Sequence, residues 1–218
     1  MELADLRRLV RQGEHMHLEF KRKAHHPDKI ARELVAFANS EGGQLLVGVD
    51  DNQTIYGVKF PQEDAYVLNR YFDEYIIPQL DYELERVSIT AQRQVLVYTI
   101  PSSENKPHYL KEIEGPRKKT AFVRYGDMSL TASREMLELL RVQKRERGVN
   151  LRFGELEQRL LQYLEESPRI TLDETRQLLQ LPRRKASIIL ILLVRAGLLH
   201  IQPTEKGDYF SLAEEAFQ

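Results

Sequence analysis

Carboxylate, imidazole and cationic side chains crowd into one segment near the start of the chain, EHMHLEFKRKAHH at residues 14–26. Its charged members are Glu14, Glu19, Lys21, Arg22 and Lys23, and four histidines lie among them. Such a mixture forms either an exposed salt-bridged surface or a metal site set in a nucleic-acid groove. The residue types by themselves leave both interpretations open.

The elements around this segment decide which of its side chains share a face. Met16, Leu18 and Phe20 alternate with polar residues, and this period of two predicts a strand with one apolar face. Glu19 and Lys21 then lie together on the opposite face. A phosphodiester-cleaving site and a weak, solvated ion pair both fit this placement.

The elements that follow predict an α+β domain with a mixed sheet and flanking helices over residues 1–142. A helix opens at Pro27 and ends at the sequence NSEGG, where Gly42 or Gly43 is the expected C-cap. The apolar stretch QLLVGVD predicts a central strand that is buried on both faces, with Asp50 and Asp51 at its end. Further helices and strands complete the domain.

A charged segment at residues 143–152 predicts a linker, and residues 153–218 predict a small winged helix-turn-helix domain. Its pattern is helix, short helix, helix and two strands. The third helix opens with basic and hydroxyl residues that we expect to contact DNA, namely Arg183, Arg184, Lys185 and Ser187. Dimerisation or protein docking is the competing role for this domain.

Composition limits where the protein works and what it binds. The chain has 218 residues, a formal net charge of −1 and no cysteine, so a nucleic-acid surface must be a local patch and thiolate metal sites are excluded. The longest apolar run, residues 188–194, is too short to span a bilayer. We expect a cytoplasmic protein with no membrane partner.

Four stretches of the first domain resemble the Schlafen-like AlbA_2 family. They are GEHMHLEFKRK, ELVAFANSEGGQLLVGVDD, SSENKPHYL and AFVRYGDMSLTAS, and the resemblance spans residues 10–140. It implies a nucleic-acid-binding fold and, in some members, a metal-dependent endoribonuclease acting on structured RNA such as tRNA. Bacterial relatives that carry a winged helix resemble transcription regulators, so a DNA-binding regulator without catalytic activity is the alternative.

The resemblance also implies a set of catalytic residues. The family's nucleases use three acids, which correspond in this chain to Glu14, Glu19 and either Asp50 or Asp51. These carboxylates would hold Mg²⁺ or Mn²⁺, and Lys21 would stabilise charge on the phosphate. Because related nucleases carry two copies of the core and this chain carries one, a homodimer is expected.

Further residues are candidates for contact with nucleic acid, either RNA or DNA. They are Lys23, His108, Arg117, Lys118, Lys119 and Arg124. The basic loop at residues 117–119 has a solvated turn as its competing interpretation. Gly42 and Gly43 lack the Walker A arrangement, so we do not expect ATP hydrolysis, and a nucleotide-binding module is a weaker reading.

Overall fold

The computed structural model describes residues 1–112, 118–143 and 154–213. The chain forms two compact units, Met1–Thr131 and Ala132–Gln218. The predicted linker at 143–152 falls almost entirely outside the described residues, and helix Arg134–Gln143 packs in the second unit. Among the described helices, none is long and apolar enough to cross a membrane.

The first unit is an α+β fold built on a mixed four-stranded sheet, as predicted. Its helices are α1 (Leu3–Val10), α2 (Pro27–Asn39) and α3 (Pro61–Tyr75). Its strands are β1 (Leu18–Lys21), β2 (Gly42–Val47), β3 (Ile76–Ile77), β4 (Glu83–Thr90), β5 (Arg93–Pro101), β6 (Tyr109–Lys111), β7 (Lys119–Thr120), β8 (Phe122–Tyr125) and β9 (Met128–Thr131). The main sheet has the order β1-β2-β5-β4, with β1 parallel to β2 and the other pairs antiparallel.

Both faces of this sheet are covered. On one face, Leu45 and Val47 of β2 pack with α2 and α3, while on the other face Leu46 packs with Leu18 and Phe20 of β1 and with α1. This alternation confirms the prediction that β2 is buried on both sides. It also means that the polar face of β1 points towards α2 and away from the core around α1.

The turn between α2 and β2 differs from the prediction. Neither Gly42 nor Gly43 caps the helix, because α2 ends at Asn39 with Ser40 as its C-cap. Gly42 instead begins β2 with a positive φ of +82°, pressed against the backbone of β5. A side chain there would meet main-chain atoms, so the glycine is required by close approach and by its left-handed conformation.

The second unit contains three helices and a final pair of strands in the predicted order, together with one additional short strand and the helix Arg134–Gln143, which was expected in the first domain. Its elements are α4 (Arg134–Gln143), α5 (Glu155–Glu166), β10 (Ile170–Thr171), α6 (Leu172–Leu179), α7 (Arg183–Arg195), β11 (Leu199–Gln202) and β12 (Tyr209–Leu212). The three strands form an antiparallel sheet in the order β10-β12-β11. Thr171 caps α6 through a reciprocal capping box with Glu174.

Gly42→Ala should destabilise the first unit strongly. An added Cβ would lie 2.7 Å from the carbonyl oxygen of Ile100 and 2.8 Å from the amide nitrogen of Ser102, and main-chain atoms cannot move aside cheaply. We expect the free energy of unfolding in urea to fall by about 3 kcal/mol or more. Gly126→Ala is the matched control, since Gly126 has a similar φ of +59° with open space around it and should cost only ~1 kcal/mol. Equal losses in the two variants would contradict the steric argument.

Candidate functional site

Of the two charged residues of β1, Glu19 is enclosed by protein and Lys21 is partly exposed. Glu19 pairs in register with Leu45 of β2, on the sheet face that α2 covers. Leu18 and Phe20 are buried together on the other face, which confirms the predicted alternation. Glu19 itself is buried, and its carboxylate accepts a short hydrogen bond from the Lys21 ammonium.

Arg124 of β8 is the centre of the charged cluster. Its side chain is 0% exposed. Its Nη1 lies 2.9 Å from Oε2 of Glu19 and 3.0 Å from Oε2 of Glu33. Its Nη2 donates to the carbonyl oxygen of His15 at 2.9 Å, and its guanidinium lies over the Phe37 ring at 4.8 Å. The prediction that Arg124 contacts nucleic acid is therefore corrected, because the guanidinium is enclosed and both of its Nη nitrogens bond to internal groups, while its buried Nε has no partner among the described residues.

Glu33 is a member of this cluster that the sequence analysis missed. Its carboxylate accepts from Arg124 and also from the Ser129 hydroxyl in a short hydrogen bond. One sequence signal was available: Glu33 lies four residues before Phe37 and so shares its helix face, which is otherwise buried. Ser129 of β9 belongs to the same cluster, since its hydroxyl also accepts from Nη1 of Arg124 at 3.3 Å.

Glu14 stands beside the cluster in a different role. Its Oε1 accepts from the amide nitrogen of Phe20 at 2.9 Å, so the carboxylate closes the turn before β1. Partial burial raises the pKa of Glu14, and the nearby carboxylates of Glu19 and Asp51 raise it further. Asp51, one of the two candidate aspartates, is thus near enough for its charge to raise the pKa of Glu14.

The aspartate corner after β2 holds two carboxylates in different surroundings. Oδ2 of Asp50 faces Nη1 of Arg22 at 3.4 Å, and its backbone closes a turn by accepting from Gln53 at 2.8 Å. Asp51 is exposed. Across the described parts of the chain, no group of three or more His, Asp or Glu side chains is placed to hold a metal ion.

The residues therefore do not fit the metal that the family resemblance implies. Both oxygens of Glu19 are engaged, one by Lys21 and one by Arg124, and these cations would oppose a divalent ion. Lys21 also donates to the carbonyl oxygen of Phe20 at 3.0 Å. In this arrangement Glu19 and Lys21 act as parts of an ion-pair network, and catalysis by them stays a prediction without geometric support.

His108 is structural in this fold. It is 1% exposed, with its Nδ1 lying 2.9 Å from the carbonyl oxygen of Pro78 and its Nε2 lying 2.6 Å from the Ser103 hydroxyl. Asn39 fixes the backbone of His108 from both sides, accepting from its amide and donating to its carbonyl. The predicted contact between His108 and nucleic acid is corrected on this ground.

The remaining predicted contacts divide by exposure. Lys23, Lys118 and Lys119 are exposed, although Lys118 pairs with Glu112 at 3.1 Å and Lys119 lies over the Tyr109 ring at 4.2 Å. Arg117 lies outside the described residues.

At the start of α7 in the second unit, Arg183, Arg184 and Lys185 are all exposed. Ser187 donates its hydroxyl to Oε1 of Glu135 at 2.6 Å, and so makes an internal contact within the second unit.

Comparison with known proteins identifies the region that carries the charged cluster. The model of the family described as Schlafen, AlbA_2 matches residues 14–133. The N-terminal domain of a RecG-related protein from Nitrosomonas europaea, named for an ATP-dependent DNA helicase, is 24% identical with a TM-score of 0.44, covering 59% of this chain and 91% of that one. The DIP2311 protein from Corynebacterium diphtheriae is 18% identical with a TM-score of 0.41, over 67% of this chain and 32% of that one. The chain thus spans about a third of the DIP2311 protein.

Arg124→Met should be among the most damaging single changes in the first unit. It removes the shared cation and leaves the Glu19 and Glu33 carboxylates buried near each other without it. We expect the free energy of unfolding to fall by about 3–5 kcal/mol in chemical denaturation. Arg8→Met is the matched control, because Arg8 forms an exposed ion pair with Asp5 and should cost less than ~1 kcal/mol. A small loss for Arg124→Met would show that the network contributes little.

The enclosed imidazole of His108 should make stability depend on pH. Burial lowers its pKa below the ordinary 6.5, with Lys106 lowering it further while the Pro78 carbonyl and Asp81 oppose the shift. In this pH range His108 binds a proton more readily in the unfolded chain than in the native state. The free energy of unfolding should therefore fall as pH drops from about 7 to about 5.5. The measurement is the slope of unfolding free energy against pH, compared with His108→Gln.

The pKa of His15 is also lowered, so His15 contributes to the pH slope with the same sign as His108. Because both proteins contain His15, its contribution cancels when the two slopes are compared. Glu14 has a raised pKa, so its contribution to the slope has the opposite sign: it lowers the free energy of unfolding as pH rises above 4.5. An unchanged slope in His108→Gln would show that His108 does not carry the effect.

Proposed function

The chain belongs to the Schlafen AlbA_2 family, and from this premise we propose that it is a nucleic-acid-binding protein whose C-terminal unit holds duplex DNA without cutting it. The family match covers the first unit, and the DNA contact is assigned to the second. The single observation that carries the assignment is the exposed basic first turn of α7.

The second unit has the element order of a winged helix-turn-helix. Helix α6 ends at Leu179, its C-cap residue Gln180 takes a left-handed conformation with φ of 54°, and α7 begins at Arg183. A tight turn of this kind joins the two helices of a DNA-binding helix-turn-helix. The antiparallel pair β11 and β12 follows α7 as the wing.

The first turn of α7 concentrates positive charge where a helix does not favour it. Arg183, Arg184 and Lys185 occupy its first three positions, and this turn contains no acid, although Arg183 forms an exposed ion pair with Asp173 of α6 at 2.8 Å. Cations beside the positive end of a helix dipole lose about 0.3–1 kcal/mol each. An anion at the same place is stabilised by both the cations and the free amide groups, so a phosphate backbone is the ligand that suits this turn.

Binding without cleavage agrees with the charged cluster of the first unit. Glu19 is enclosed and its two carboxylate oxygens are held by Lys21 and Arg124, which leaves neither oxygen free for a metal ion. A metal-dependent endoribonuclease using Glu14, Glu19 and Asp50 or Asp51 stays a hypothesis. A cytoplasmic location and a homodimer are likewise expectations.

A second candidate role, protein docking, has its own observation. Ile188, Ile191 and Leu192 of α7 line a cleft of about 550 Å³ beside α4, and Ile188 is 48% exposed. Apolar side chains on that face suit another protein better than a DNA groove. Loss of self-association in Ile188→Asp, measured by light scattering, with DNA binding lost in parallel, would favour docking as the primary role.

The direct test measures binding of a fluorescent duplex of about two helical turns to the full chain across about 50–200 mM salt. We expect Arg183→Ala/Arg184→Ala to weaken binding about tenfold or more and to reduce the salt slope by about two. Arg70→Ala/Arg159→Ala is the control, since it removes the same charge from exposed positions elsewhere. Equal weakening by both variants would contradict the assignment to α7.

A parallel arm incubates the chain with tRNA and Mn²⁺. Cleavage that is lost in Glu14→Gln but kept in Arg183→Ala/Arg184→Ala would support the endoribonuclease and overturn binding without cutting. Intact tRNA at all Mn²⁺ concentrations, together with duplex binding that depends on Arg183 and Arg184, is the result that we expect.

A further inference from the structure

A second cationic groove lies in the first unit, away from the buried cluster of Arg124. It has a volume of about 410 Å³ and is lined by the segment after β1, the segment before α3 and the first residue of β5. We call it the Arg22–Phe60 groove. The charged, polar and aromatic side chains that line it are Arg22, Lys23, His25, Tyr56, Lys59, Phe60, Asp64 and Arg93.

The charge of this groove is strongly positive. Four permanent cations, Arg22, Lys23, Lys59 and Arg93, face one carboxylate, Asp64. Arg22 forms an ion pair with Asp50 at 3.4 Å, whereas within the described residues neither Lys23 nor Lys59 forms one. The groove therefore carries positive charge that its own acids do not neutralise, and a polyanion would gain from entering it.

Aromatic rings are interleaved with these cations. Tyr56 is 39% exposed and Phe60 is 53% exposed, although large apolar groups normally avoid water. The guanidinium of Arg22 lies over the Tyr56 ring at 4.3 Å from its centroid, and the Lys59 ammonium lies 5.3 Å from the Phe60 centroid. Each ring thus lies beside a cation. In a nucleotide bound there, the base could stack on the ring while the phosphate pairs with the cation.

Part of the groove is held in a fixed conformation. Arg93 donates from Nη1 to the carbonyl oxygen of Gly57 at 2.9 Å, and Val58 pairs with Gln94 through two backbone hydrogen bonds. Phe60 directly precedes α3 and is its N-cap residue. The aromatic segment is therefore anchored to β5 and α3 before any ligand arrives, and less ordering is needed on binding.

We propose that the Arg22–Phe60 groove binds an unpaired nucleic-acid strand, with bases stacked on Phe60 and on the Tyr56–Arg22 pair and phosphates held by Lys23 and Lys59. Bases in a duplex keep their faces stacked on one another, whereas a single strand can offer its faces to the rings. The volume lies in the range of pockets for small ligands, about 300–1,000 Å³, which suits separate nucleotides. This site goes beyond the proposed duplex contact of α7 and does not rest on it.

The test uses the full chain with a fluorescent oligothymidine of about ten nucleotides. We expect Phe60→Ala to weaken binding about tenfold or more, because one stacked base is lost. Lys23→Ala/Lys59→Ala should weaken it and reduce the salt slope by about one to two. Tyr66→Ala is the matched control, since Tyr66 is 67% exposed on α3 but does not line the groove, and it should bind normally.

Two further ligands decide whether bases are recognised. An abasic strand of the same length should bind about tenfold more weakly than oligothymidine, and polyglutamate should not compete. Equal binding of the abasic strand would overturn the stacking claim, and competition by polyglutamate would point to an acidic protein instead. Equal effects of Phe60→Ala and Tyr66→Ala would also overturn the proposal.

The variants test the two nucleic-acid sites separately. Arg183→Ala/Arg184→Ala should keep oligothymidine binding, and Phe60→Ala should keep duplex binding. Because Phe60 is half exposed, the variant is expected to fold, and unchanged circular dichroism checks this. The chain contains no tryptophan, so quenching of tyrosine fluorescence on strand binding gives a second reading, which should be reduced in Tyr56→Phe.

Discussion

The enclosed guanidinium of Arg124 joins parts of the first unit that are far apart in sequence. It bonds to Glu19 on β1, to Glu33 on α2 and to the carbonyl oxygen of His15 in the turn before β1. A charge removed from water must find strong partners, and here two carboxylates share one arginine. The positions of β1, α2 and the β8–β9 hairpin therefore depend on one another through this side chain.

This constraint explains why the most conspicuous residues of the chain divide into two groups. Glu19 and Lys21 fall under α2 and become parts of the internal network, whereas Arg22 and Lys23, which follow directly, emerge at the end of the strand. The cations that can reach a ligand are those beyond the covered part of β1. In the first unit, the proposed strand-binding groove therefore lies at the margin of the sheet and not over its middle.

Local sequence patterns predicted the strand at β1, the helix from Pro27, the doubly buried β2 and the helix order of the second unit. These features depend on periodicity and capping, which are properties of neighbouring residues. The partners of Glu19 were not predictable in this way, because alternation tells which face a side chain takes and not what covers that face. Arg124 lies 105 residues from Glu19, and His108 lies 69 residues from Asn39. Their burial arises from packing at a distance, so residues expected at a surface proved internal.

The separation between Glu19 and Arg124 also has a consequence for biosynthesis. The two glutamates on β1 and α2 leave the ribosome long before their arginine does, and at about 5–20 residues per second the delay is roughly 5–20 s. During that time the carboxylates must stay hydrated, so α2 cannot settle permanently over β1. The nascent chain is thus held open until β8 has emerged, and closure of the first unit waits for a single late residue.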